Sequence, residues 1–352
     1  MLTFDVAMPL TLFAVTVVAL LLSGRVEPKL KTTFEEREFK ARDAVLFVVL
    51  IAVAVSVVVF VPGMALVAVF LFSYCSLLFT FSFLFSGVKR RSAQFFFLGI
   101  GLAGLVAGAV ALLKVYGDGA LMFYGGLAAV GLAVFAFVAV LYEQFKPDGR
   151  SRWYLAVFPP VLFLVVFFLF MYEPVPLLSL VLLDVAGALF AVLITLYLAS
   201  LFTWKVAFIF AALLTVMDII LVLFTGVMVT AATHVAGLGL PVLISMPIVP
   251  LVLTTRGISF LSLGLGDFFF AGTLATQTYK RYGRRAALVS AVAMTLSFGV
   301  FEVLLLNTEF GAFPGTVMII LGWLPVVVWK LVVGRKNKIA VNNVNVESKV
   351  RN

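Results

Sequence analysis

The chain has 352 residues, of which 64% are hydrophobic and 12% charged, and its formal net charge is +9. A water-soluble domain is about half apolar and a quarter charged, so this composition lacks the material for a polar skin and excludes the soluble globular class. The positive charge lies in short blocks between apolar stretches, which suits loops facing an anionic leaflet and excludes a continuous groove for nucleic acid.

A bilayer core about 30 Å thick needs roughly 20 apolar residues per helix. The apolar runs predict spans near 6–24, 44–61, 64–86, 95–115, 120–142, 154–172, 177–200, 205–229, 258–279, 286–306 and 315–334. The expected fold is all-α, a polytopic transmembrane helical bundle of about eleven spans. The first stretch has no basic leader and reads as a permanent span. Residues 1–200 then hold about seven spans, 201–335 about four, and 336–352 a polar tail expected to be disordered.

The loops set an orientation. Basic residues cluster at 25–42, 89–91, 146–152, 205, 280–285 and 330–351, and with eleven spans all these blocks fall on one side. The rule that positive loops stay inside puts the N-terminus outside and the C-terminus in the cytoplasm, for a multi-pass protein of the cell membrane. The 25–43 loop mixes acids with bases and reads as an interfacial segment. Residues 230–257 are apolar but broken by Pro241, Pro247 and Pro250, as expected of a re-entrant or interfacial connection packed on protein. Gly101, Gly104 and Gly108 read as helix-packing positions. Cys75 and His234 are single residues of their kind, so a disulfide framework, a thiolate cluster and a His-rich zinc site are excluded, and neither metal nor cofactor is expected.

Acids inside apolar spans carry the functional signal, because a carboxylate in the bilayer is costly and faces the bundle interior or water. Asp184, Asp218, Asp267 and Glu302 are the candidates. Asp184 is expected near the outer rim, exposed to water or hydrogen-bonded, and Glu302 is expected to reach the outer interface. Asp218 and Asp267 fall midway along two consecutive, antiparallel spans and can meet at one depth. Two carboxylates a few ångströms apart do not both ionise cheaply and share a proton. One can then activate a water as general base while the other donates to a peptide carbonyl. Gly264 and Gly266 would loosen the backbone beside Asp267. The same residues are also compatible with a proton- or ion-coupled transporter or channel, and with a structural pair.

Gly264-Leu265-Gly266-Asp267 matches the Gly-x-Gly-Asp motif of the presenilin and signal peptide peptidase family, and Asp218 stands one span earlier. The chain resembles an archaeal-type member of that family over roughly residues 200–335. The resemblance implies an intramembrane aspartyl protease with Asp218 and Asp267 as the catalytic dyad, no cofactor, and transmembrane or signal peptides as substrates within the lipid bilayer. The loop charges resemble the orientation of the signal peptide peptidase branch. Two positions depart from the pattern. Met217 replaces the tyrosine that usually precedes the first aspartate, and Pro314-Gly315-Thr316 stands where the family carries Pro-Ala-Leu. Pro314 is kept, and both a divergent protease and an inactive membrane-helix-binding relative stay open.

Overall fold

The computed structural model describes residues 3–33, 39–61, 89–113, 119–145, 161, 176–237, 243–254, 257–308 and 312–350. The spans expected at 64–86 and 154–172, and Cys75, lie outside the described residues or almost wholly so. Ten helices are described: α1 Ala7–Thr33, α2 Ala41–Phe60, α3 Arg90–Leu113, α4 Gly119–Phe145, α5 Pro176–Leu201, α6 Trp204–Ile219, α7 Val227–Gly237, α8 Leu265–Tyr282, α9 Arg284–Asn307 and α10 Gly315–Val350. Four strands lie between α7 and α8: β1 Leu243–Pro247, β2 Leu253–Thr254, β3 Gly257–Ile258 and β4 Phe260–Gly264.

Seven stretches are long and apolar enough to cross a membrane: Ala7–Gly24, Ala41–Phe60, Arg90–Leu113, Phe123–Tyr142, Trp204–Phe224, Arg284–Asn307 and Gly315–Gly334. Large apolar side chains such as Leu46, Leu50 and Phe60 of α2 and Leu296 and Val300 of α9 stay uncovered by protein. Faces of this kind need lipid as their solvent, and the chain is a multi-pass helical membrane protein.

The chain forms two compact units, residues 70–182 and residues 1–69 with 183–352. In the first unit α3 and α4 pack as a pair. A Cβ at Gly108 would stand 2.6 Å from Val130 Cγ2 and 3.0 Å from the Gly126 carbonyl oxygen, so glycine there lets the two backbones approach, as small residues do between membrane helices.

The second unit is built around α8, which packs against α1, α6, α9 and α10. Every residue of α8 from Phe268 to Thr278 is buried. A helix covered on all sides needs no lipid-compatible surface, which explains how α8 carries Thr273, Thr276, Gln277 and Thr278 in its buried run and falls outside the seven apolar spans. Its polar groups tie it to its neighbours. Gln277 Nε2 donates to the carbonyls of Ala199 and Phe202 at 2.9 Å, and Lys280 Nζ donates to the Ala199 carbonyl at 3.0 Å. These bonds satisfy the orphan carbonyls at the end of α5. Trp323 Nε1 of α10 donates to Thr278 Oγ1 at 2.8 Å.

Helix starts follow their caps. Asp5 accepts from the amides of Ala7 and Met8 at 3.1 and 2.9 Å and opens α1. Thr203 Oγ1 accepts from the Val206 amide at 3.4 Å and starts α6, so the break expected between 200 and 205 is present.

Several expectations are corrected. The span expected at 205–229 is α6, a five-residue π-helical stretch Ile220–Phe224, and then a separate α7 after Gly226. His234 lies in the last turn of α7, where an external loop was expected. The expected span 258–279 begins at the last residue of β3, continues as strand β4 and turns helical only at Leu265. The 230–257 connection contributes a nested hairpin, in which β1 pairs antiparallel with β4 and β2 with β3. Ile244 and Leu263 face each other across β1 and β4 and are buried, while their neighbours Ser245 and Ser262 form the next pair. That alternation is the period-two signature of a strand with one covered face. The backbone of 336–350, expected to be disordered, continues α10 as helix.

Candidate active site

Asp218 is the penultimate residue of α6 and is 5% exposed. Immediately after α6 the backbone widens into the π-helical stretch, a deviation that recurs at functional sites. Asp267 is the third residue of α8, whose N-cap is Gly264. From this position its carboxylate turns back and accepts a hydrogen bond from the Gly264 amide. An acid three residues after the cap satisfies one of the free amides of the first turn and sits favourably at the positive end of the helix dipole. The Gly-x-Gly-Asp sequence is therefore a helix start, with the acid in its first turn and not midway along a span as expected.

The first turn of α10 joins the two acids. Thr316 donates twice to Asp218 Oδ2, from its hydroxyl at 2.6 Å and from its amide at 3.2 Å. Its chain neighbour Gly315 lies against the other acid, because a Cβ on Gly315 would stand 2.5 Å from Asp267 Oδ1 and 2.7 Å from its Cγ. Consecutive residues of one helix thus touch both carboxylates. Pro314 ends the preceding segment, and its carbonyl accepts from the Val317 amide at 3.2 Å to open α10. Two helix N-termini, those of α8 and α10, converge on a pair of acids, and the free amides of such termini favour anions.

Met217 and Leu265 are half-buried neighbours of the acids in the chain, and Gly266 is exposed. Apart from its chain neighbours and its own helix backbone, no described atom lies within 4 Å of where a Gly266 Cβ would stand, so the helix is uncovered at Gly266. The arrangement offers two carboxylates fixed by donors and backbone, beside an uncovered glycine.

The chain matches no family model and no curated protein. Its site is accordingly read from its own geometry.

The remaining acids do not join the pair. Asp184 of α5 is 8% exposed and accepts from the Ser245 amide of β1 at 2.7 Å, so it is hydrogen-bonded as one of the two expectations had it, but not exposed. Glu302 is covered by protein, where an exposed position at the outer interface was expected. It is 2% exposed, and neither carboxyl oxygen has a hydrogen-bond partner among the described residues. The charged group acting on it is Asp5. Thr316 was expected among the supporting residues by its place in the altered motif, but its two hydrogen bonds to Asp218 were not foreseen.

Proposed function

We propose that this protein is an intramembrane aspartyl protease, a divergent relative of the presenilin and signal peptide peptidase family, with about eleven spans and its C-terminus in the cytoplasm. One observation carries the reading: Asp218 and Asp267, from helices either side of a long hairpin, meet at Gly315 and Thr316 in the first turn of α10. The contacts hold both acids and leave the helix uncovered at Gly266.

The chemistry follows from two acids that hold one proton between them. The ionised carboxylate takes a proton from water as the oxygen attacks the peptide carbonyl. The protonated one donates to the carbonyl oxygen. The tetrahedral intermediate collapses with cleavage of the C–N bond, and a proton passes to the leaving amine. Thr316 fixes Asp218 through two donors, and the Gly264 amide fixes Asp267. Such preorganisation removes the reorganisation cost at the moment of reaction. Thr316 thereby supplies a hold that the family's leucine cannot.

The substrate is an apolar transmembrane peptide, which must unwind to expose a peptide bond. Strand β4 leads into Asp267 and has β1 as its neighbour on one side only among the described residues. Ser262 of β4 is exposed, and an extended chain can add along such an edge through main-chain hydrogen bonds.

The test uses purified protein in detergent with a helical membrane peptide, comparing wild type with Asp218→Asn and Asp267→Asn. Wild type is expected to release peptide fragments and both variants to release none above background. Equal product from wild type and Asp267→Asn would end the protease reading.

A further inference from the structure

The two edges of the β1–β4 hairpin are not equivalent. Ser245 and Ser262 are partners in the register, and their hydroxyls lie 2.7 Å apart. The Ser245 amide donates to Asp184 Oδ1 at 2.7 Å. In an antiparallel pair, residues alternate between exchanging both backbone bonds with the partner and turning those groups outward, and side chains come closest at the outward pairs. Ser245 with Ser262 is therefore an outward pair, which agrees with the hydroxyl contact. It follows that the outer edge of β1 is occupied by a buried carboxylate from α5, while Ser262 presents its backbone groups on the outer edge of β4.

The helix carrying Asp184 is also locked to α8. A Cβ on Gly272 would stand 2.6 Å from Thr195 Cγ2 of α5, and Gln277 reaches the Ala199 carbonyl at 2.9 Å. Helix α5 thus holds both the hairpin that precedes Asp267 and the helix that carries it.

We propose that Asp184 is a positioning residue, which closes the β1 edge and anchors the hairpin so that β4 is held in place for an extended substrate. The proposal rests on the protease reading above. A charge placed at a strand edge also prevents pairing on that side, so substrate is confined to the strand that runs into Asp267. Asp184 acts through Ser245 and takes no part in proton transfer.

The experiment compares Asp184→Ala and Asp184→Asn with wild type, all as full-length protein in detergent, using a helical membrane peptide and amide hydrogen exchange. Asparagine keeps the oxygen that accepts from Ser245, whereas alanine removes it. In Asp184→Ala the Ser245 amide is expected to exchange at least about tenfold faster and KM to rise about tenfold with kcat changed less than about twofold, the loss of one hydrogen bond to a charged group. Asp184→Asn is expected to restore both readouts. An unchanged KM in Asp184→Ala, a fall in kcat at constant KM, or equal impairment in the two variants would overturn the proposal. If wild type cleaves nothing, the protease reading fails separately. The exchange readout still decides the anchor, because a Ser245 amide unprotected in wild type refutes it without reference to turnover.

Discussion

Removal of the Thr316 hydroxyl is the sharpest perturbation of the site. Thr316→Val keeps the β-branched shape and the backbone amide, which lies 3.2 Å from Asp218 Oδ2, and deletes the donor at 2.6 Å. The lost bond is short, buried and directed at a carboxyl group. Hydrogen bonds to charged groups are worth about 1.5–3 kcal/mol. If Asp218 must hold its orientation in the transition state, that range corresponds to roughly a ten- to hundredfold fall in kcat. KM should stay near wild type, because Thr316 faces an acid and not the hairpin edge. Thr316→Ser retains the hydroxyl and is expected to recover most of the rate. The assay is steady-state cleavage of a helical membrane peptide, with thermal melting in the same detergent to separate misfolding from misplacement. Wild-type kcat in a folded Thr316→Val protein would refute the claim that this bond positions Asp218.

Other outcomes follow from the same contacts. Gly315→Ala places a methyl 2.5 Å from Asp267 Oδ1, so the carboxyl must swing away, and kcat should fall by about tenfold or more; a near-native kcat would show that Asp267 has free room. The reaction needs one acid and one base, so kcat/KM is expected to be bell-shaped in pH, and a profile rising or falling monotonically across the active range would contradict the shared-proton mechanism. Glu302→Gln gives a buried, unpartnered side chain beside Asp5 a donor in place of an acid. The variant should melt a few degrees higher, about 1 kcal/mol, and a lower melting temperature would argue that the acid has a partner. Gly108→Leu forces a side chain into Val130 and the Gly126 carbonyl, which should destabilise the α3–α4 pair by about 1–3 kcal/mol or more, measured as a lower melting temperature.

Composition and hydropathy were enough to read a lipid-embedded helical protein, because the penalty for an unsolvated backbone leaves few other solutions. They also led to Asp218 and Asp267, since acids in apolar runs are rare and have a purpose. The depth argument expected these two acids to meet, and the structure brings them together by a different route. Asp218 ends α6 and Asp267 begins α8, so they meet as helix ends and not as mid-helix residues. The strands were hidden because a hydropathy window averages over about 19 residues, whereas Leu261-Ser262-Leu263 alternates with a period of two. The burial of Asp184 and Glu302 was not legible because it depends on which neighbours cover a residue, and spacing along one helix does not contain that information. The hold of Thr316 on Asp218 spans 98 positions in the chain and belongs to packing, which no local pattern encodes.

Helix α10 closes the pair, and it is the final helix of this sequence. During synthesis both aspartates therefore emerge before the residues that bring them together. Until Gly315 and Thr316 arrive, the nascent chain holds two acids without a clamp, and α8 waits for the neighbours that shelter its threonines and glutamine. On the protease reading, the dyad is therefore assembled only once α10 has joined α6 and α8.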